Sequence, residues 1–271
     1  MGPSKTGFSD VDASGKSEEL ADYLTFLGDR LDGVRRQGLQ MLRLPAAAAV
    51  LDVGCGAGEV CRSLARLVGP FGCVVGVDLS VGLIARARSE CASSGPHVSF
   101  GVANAYRLPF PDQSFDLVRA ERVFQHLDDP ESALTEMVRV TRIGGRVMLI
   151  DAEHGQTSVA LDDPLDRRVF EAWRRSILTK VANPHSGVRL RGLLQRAGLA
   201  EVKHLTTPVE MAYPDFRRAT ELDDILEGAV RTGSTTREEV DALLSSLQAR
   251  HRAGTFLATG LIYSVIGSRP G

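Results

Sequence analysis

Leu51-Asp52-Val53-Gly54-Cys55-Gly56-Ala57-Gly58 closes a continuous apolar run, Ala49 to Val53, with a turn carrying glycine at 54, 56 and 58. Helical character follows from Glu59 to Leu67, so the stretch reads as a buried strand, a tight loop and a helix start. A turn without Cβ atoms lets the backbone approach a ligand closely, and the helix behind it presents unpaired N–H groups. Alone the turn is weak evidence for a ligand. It gains weight from Asp78, which ends the next apolar run, Cys73 to Val77, 20 residues after Gly58. A carboxylate there can accept hydrogen bonds from both ribose hydroxyls of an adenosine cofactor.

The same rhythm continues downstream. Val81 to Ser93 reads as a helix, Val98 to Val102 as a third strand and Phe115 to Ala120 as a fourth. Asp129-Pro130-Glu131 starts a helix, with Asp as N-cap, Pro in the first turn and Glu beside the positive end of the dipole. Gly144-Gly145 closes that region, and Arg146 to Ile150 makes a fifth strand. Apolar strands alternating with helices imply an α/β fold, with a parallel sheet covered on both faces.

Upstream, Tyr23, Leu24, Leu27, Leu31 and Val34 recur at helical spacing from Ser17 to about Leu42, while residues 1–16 are expected to be a disordered leader. After Asp151 the alternation breaks. Residues 17–271 are expected to form one domain with two insertions on the substrate side, about 155–186 and 212–254. Val169, Phe170, Trp173, Ile177 and Val181 mark an amphipathic helix in the first, and a capping box from Thr236 to Glu239 opens a helix in the second. Between them Val188 to Ala197 is helical and Glu201 to Met211 strand-like, and Thr255 to Ser268 supplies a final strand.

Bulk properties narrow the function. The 271 residues are 43% hydrophobic, an ordinary globular proportion, and the formal charge of −2 shows no cationic excess for nucleic acid. There is no apolar run long enough to span a membrane. The cysteines Cys55, Cys61, Cys73 and Cys91 include no CxxC pair, so no metal site is expected and a reducing, cytoplasmic location is.

The nicotinamide fingerprint needs glycine at its first, third and sixth positions, and the sixth from Gly54 is Glu59. S-adenosylmethionine (SAM) has no pyrophosphate to cradle; its ammonium and sulfonium suit an acidic residue near the loop. VLDVGCGAGEV, VVGVDLS, ANAYRLPFPDQSF (103–115), FDLVRAERVFQHLDDP and VTRIGGRVMLID, in this order, resemble the class I SAM-dependent methyltransferases, in particular the ubiquinone/menaquinone C-methyltransferases. The resemblance is strong from about Val50 to Ile150 and loose elsewhere.

It implies a Rossmann-like, doubly wound, mostly parallel sheet with an antiparallel final strand, an N-terminal helix and helical insertions. It also implies that Asp52, Gly54, Gly56 and Gly58 wall the methionine part of SAM, that Asp78 holds the ribose and that Leu79 lies against the adenine. Asn104, followed by Ala105, stands where the family carries an Asp that accepts from the adenine amino group; an amide oxygen still accepts. Glu121 and Arg122 are placed near the methionyl end, and Tyr23, on a helix that closes similar sites, is a candidate lid or a core residue. No Asn/Asp-Pro-Pro-aromatic motif of nucleic-acid or amide N-methylation occurs: Ala120-Glu121-Arg122-Val123 fills its place.

The expected reaction is methyl transfer from SAM to O, N or C of a small, hydrophobic metabolite. The alternative keeps SAM binding but performs another reaction, or binding alone. Alignment is the main catalytic task, and a base matters only if the acceptor must lose a proton. His126 and His154, at strand-end loops, are the candidate bases; His126 could instead pin its loop by hydrogen bonding, and His154 could belong to a solvated loop. Phe170, Trp173, His185 and Tyr213 are candidates for the substrate pocket, although a stripe such as Phe170, Trp173 and Ile177 is more often the packing of a helix onto its domain.

Overall fold

The central strand, Ala49–Val53 (β1), buries four of its five residues because both of its faces are covered. In this computed structural model, which describes residues 17–42, 44–92 and 97–271, β1 pairs in parallel with Cys73–Asp78 (β2) and Phe115–Glu121 (β4). Val98–Val102 (β3) extends the sheet beyond β2, and Thr141–Val159 (β5) extends it beyond β4. Ala200–Met211 (β6) and Ala258–Ser268 (β7) complete the order β3-β2-β1-β4-β5-β7-β6, with β7 antiparallel to both neighbours. The expected Rossmann-like, doubly wound sheet with its antiparallel final strand is therefore what forms. The leader, residues 1–16, lies outside the described residues.

Alternation along the strands splits the core in two. Val50, Val74 and Leu117 face one way, toward Ser17–Gln40 (α1), Glu59–Val68 (α2) and Val81–Glu90 (α3). Leu51, Val77 and Val118 face the other, toward Pro130–Val140 (α4) and Ser186–Arg196 (α6). The α2 stripe Val60, Cys61, Leu64, Ala65 and Val68 shows the 3.6-residue period that seats a helix on a sheet. At the start of α4, Asp129 accepts from Ser132 N and Pro130 occupies the first turn.

Register then places the site. Val53 is paired with both Val77 and Ala120, and Glu121 with Ile150, so Gly54, Asp78, Arg122 and Asp151 emerge along one rim. This rim is the carboxyl end of the parallel strands, where the strand order reverses between β1 and β4.

The structure departs from the sequence expectation after Asp151. The fifth strand does not stop near Ile150: β5 runs to Val159, with an irregularity between Glu153 and Ser158, and pairs along this length with β7. Its polar residues hide it from a hydrophobicity pattern, because backbone pairing to β7 sustains it. The first insertion accordingly begins after Val159 and forms Pro164–Lys180 (α5). The second contains three helices, Tyr213–Ala219 (α7), Leu222–Arg231 (α8) and Arg237–Arg252 (α9). At the start of α9 the Thr236–Glu239 capping box closes in both directions.

Both insertions meet in a third cluster. Phe170 and Trp173 stack at 4.9 Å between centroids, and Phe216 lies 5.9 Å from Trp173. No helix among the described residues is long and apolar enough to cross a membrane.

Candidate active site

The loop after β1 is shaped by its glycines. Gly54 and Gly58 have φ of 73° and 77°, a region that residues with a Cβ avoid. Space makes the same demand: a Cβ on Gly54 would come within 2.3 Å of Val123, and one on Gly58 within 2.7 Å of Phe100. Gly54 N and Cys55 N both donate to Val77 O, at 2.7 and 3.0 Å, fastening the loop to the end of β2.

Asp78 completes that fastening. Its two carboxylate oxygens accept from Gly56 N and Ser80 N, each at 3.0 Å, and Ser80 in turn caps α3. Leu79 beside it is 55% exposed, an apolar side chain on the wall of a cavity rather than in the core. Asn104 is exposed, and its side-chain oxygen accepts from Tyr106 N at 2.9 Å. The Tyr106 hydroxyl accepts from Asp128 N and Asp129 N, bringing the start of α4 to the same wall.

Beneath the loop runs a buried chain of charges. Arg119 donates to Asp52 at 2.9 Å and to Glu121 at 2.6 Å; Arg35, from α1, bonds Glu121 at 2.8 Å and Glu59 at 3.1 Å. Burial pushes the Asp52 carboxyl up, with Arg119 offsetting part of the effect. At Glu121 burial acts in the same direction, but Arg35 and Arg119 together hold its carboxyl below the usual range. The chain holds three acids and two bases, one acid in excess.

Sequence reading missed Arg35, Glu59 and Arg119. Arg119 had a signal: a lone arginine inside an apolar strand must meet a carboxylate, and Asp52 sits opposite it in the register.

Beyond Glu121 the character changes. Arg122 is held at φ 59° as its N donates to Ile150 O at 2.7 Å. Its guanidinium lies 6.0 Å from the Tyr23 ring centre, and the Tyr23 hydroxyl donates to Ala219 O at 2.9 Å. His126 Nε2 is 2.8 Å from the Gln125 side-chain amide nitrogen, and His154 Nε2 is 3.3 Å from the Gln125 side-chain oxygen. Burial, with Arg122 and His154 adding to it, lowers His126 to about 3; burial and Arg122 lower His154 to about 4. Both imidazoles are neutral near pH 7.

A cavity of about 350 Å³ joins these groups. Asp52, Gly54, Gly56, Asp78, Leu79, Asn104, Ala105, Glu121, Arg122 and His126 line it, together with Leu24, Thr25, Arg35 and Arg119. The other sequence candidates do not. Gly58 caps α2 behind the loop. Tyr23 stands behind Arg122, and it is Leu24 and Thr25 that α1 presents to the cavity. His154 is set back behind Gln125. His185 bonds Glu153 at 2.6 Å just ahead of α6. Phe170, Trp173 and Tyr213 are buried in the third cluster, where the stripe is packing.

A glycine turn fastened to a strand-end carboxylate, at the switch point of a doubly wound sheet, is an arrangement found in proteins built around an adenosine cofactor. A family model described as a methyltransferase domain matches residues 51–149. The 2-phytyl-1,4-naphtoquinone methyltransferase of Thermosynechococcus vestitus is 31% identical, over 69% of this chain and 90% of its own length. The chain belongs to the class I SAM-dependent methyltransferases.

The ubiquinone/menaquinone biosynthesis C-methyltransferase of Hahella chejuensis is 39% identical over 39% of this chain and 43% of its own length. Similarity to the first curated relatives spans 61%, 43% and 59% of their lengths. Among solved structures, the YcgJ protein of Bacillus subtilis shares the fold, with a TM-score of 0.57 at 21% identity over 86% of this chain and 96% of that one.

Proposed function

We propose that this protein transfers the methyl group of SAM to an oxygen, nitrogen or carbon of a small metabolite, with the cavity at the strand ends holding both reactants. The observation that carries this reading is the joining of Asp78, Leu79 and the loop residues 54–57 with the acid-rich chain in one cavity. Asp78, already fixed by two backbone amides, offers its remaining lone pairs to ribose hydroxyls. Leu79 supplies an apolar surface for adenine, and Asn104 an amide for its edge. The one excess acid of the Asp52–Arg119–Glu121–Arg35–Glu59 chain suits an ammonium at the methionyl end. When bound, SAM supplies an electrophilic methyl on a sulfonium with a good leaving group.

The chain's own task is then alignment and exclusion of water, an effect worth up to about 7–11 kcal/mol. His126 lines the cavity, but a group titrating near 3 is poorly matched to proton abstraction at neutral pH. We assign it to hydrogen bonding, with Gln125 holding its ring.

The test has two stages. Calorimetry is expected to show binding of SAM and S-adenosylhomocysteine but not NADH; the opposite preference overturns the cofactor assignment. Incubation with methyl-labelled SAM and a metabolite panel, read by mass, is expected to label an acceptor. Tight SAM binding without label on any acceptor favours a SAM-binding protein with another role.

A further inference from the structure

Of the charged side chains on the cavity wall, Arg122 is bound differently from the rest. Arg35 and Arg119 are each held by two carboxylates. Arg122 makes no ion pair within 4.0 Å among the described residues, although it is half-buried and lines the cavity. Its neighbours are the Tyr23 ring, 6.0 Å from its guanidinium, the imidazoles of His126 and His154, whose proton affinity its charge lowers, and the buried Asp151 carboxyl. A guanidinium in a recess is seldom left without an anion, because the cavity screens it less than water does. The backbone adds a second observation. Arg122 is a non-glycine residue in the left-handed region, a strained conformation that clusters at functional sites.

Arg122 directly follows Glu121, at the edge of the ground given to the cofactor's methionyl end. The loop 54–58 and Asp78 lie at the ends of β1 and β2, while the charge of Arg122 is felt at Tyr23, His126, Asp151 and His154. Those groups belong to α1, to the 3₁₀ turn after β4 and to β5, on the opposite side of the rim. Resting on the methyl-transfer reading, we propose that Arg122 is the docking point of the methyl acceptor, and that the acceptor is an acidic small molecule whose anionic oxygen lies against the guanidinium. Val123 and Leu127 on the same wall offer apolar contact to its body, and His126 a neutral hydrogen-bonding edge.

Benzoate and its neutral counterpart benzamide are suitable probes, titrated by ligand-observed NMR into protein saturated with S-adenosylhomocysteine. Benzoate is expected to bind the unmodified protein at least tenfold more tightly than benzamide. Arg122→Met is expected to erase that preference and Arg122→Lys to keep part of it, each measured with S-adenosylhomocysteine held at saturation. Equal binding of the two probes by the parent overturns the proposal. So does a tenfold loss of S-adenosylhomocysteine affinity in both variants, which would give the guanidinium to the cofactor's own carboxylate. Failure of the parent to bind S-adenosylhomocysteine, seen before any probe is added, is instead the failure of the methyl-transfer reading beneath it. Arg122→Lys keeps the charge on a slightly shorter side chain, so loss of folding in Arg122→Met leaves the comparison intact.

Discussion

Replacing Asp151 with asparagine is expected to stabilise the protein at pH 8 far more than at pH 5. Asp151 is 1% exposed, and the Ser186 hydroxyl donates to its carboxylate. Burial pushes its carboxyl from 3.8 up to about 7, against the opposing effects of Ser186 and Arg122. The folded protein therefore holds this proton more tightly than the unfolded chain does, and between the two values it carries more protons. Stability must fall as pH rises through that interval. At about 1.4 kcal/mol per factor of ten in proton affinity, the full displacement from 3.8 to about 7 corresponds to about 4 kcal/mol. Of this, about 2.5 kcal/mol accrues between pH 5 and pH 8.

Asparagine keeps an oxygen for Ser186 and never ionises, so its advantage over the parent is expected to widen by that amount. Denaturant titrations at both pH values measure it directly, and melting would register the change as roughly 5–10 °C. An advantage independent of pH would place the effect in packing rather than ionisation, and one that shrinks at high pH would refute the assignment. The neighbouring histidines act in the opposite sense. With His126 and His154 lowered to about 3 and about 4, the unfolded chain takes up their protons first, and stability is lost as pH drops below about 6.5.

Arg119→Met is expected to destabilise the fold by about 3–5 kcal/mol in denaturant titrations, since it strands Asp52 and Glu121 without their shared partner; a near-neutral result would mean that water reaches the chain of charges. Asp78→Ala is expected to weaken S-adenosylhomocysteine binding at least tenfold by calorimetry, and an unchanged affinity would remove the ribose role. Trp173→Ala is expected to lower stability by about 3–5 kcal/mol through the cavity left beside Phe170 and Phe216, with S-adenosylhomocysteine affinity unaltered. A selective loss of affinity there would return the aromatic stripe to the substrate pocket.

The legible half of the molecule is the half whose signals are local. The strands at Ala49, Cys73 and Phe115 begin where the apolar runs begin, because parallel strands covered on both faces are nearly continuous in hydrophobicity. The glycines and Asp78 were readable because turn conformation and strand-end position are properties of a few adjacent residues. Arg35 and Glu59 were not: their meeting depends on how α1 lies over the loop, and no spacing in the chain encodes that. The same reason hid the polar end of β5, which exists by virtue of a partner strand about 100 residues later.

His126 shows a different limit, one of state rather than place. It follows the fourth strand and lines the cavity, and residue type makes it a candidate base. What decides its chemistry is the desolvation around it and the charges of Arg122 and His154. These contributions come from the fold's interior and lower proton affinity by more than three factors of ten from the ordinary 6.5. The same enclosure that makes a strand-end histidine poor at taking a proton makes the guanidinium next to it strong at holding an anion, because both follow from the removal of water. An acceptor that arrives already ionised would need no base at all, and on that account the neutral histidine and the anion-seeking arginine are one arrangement.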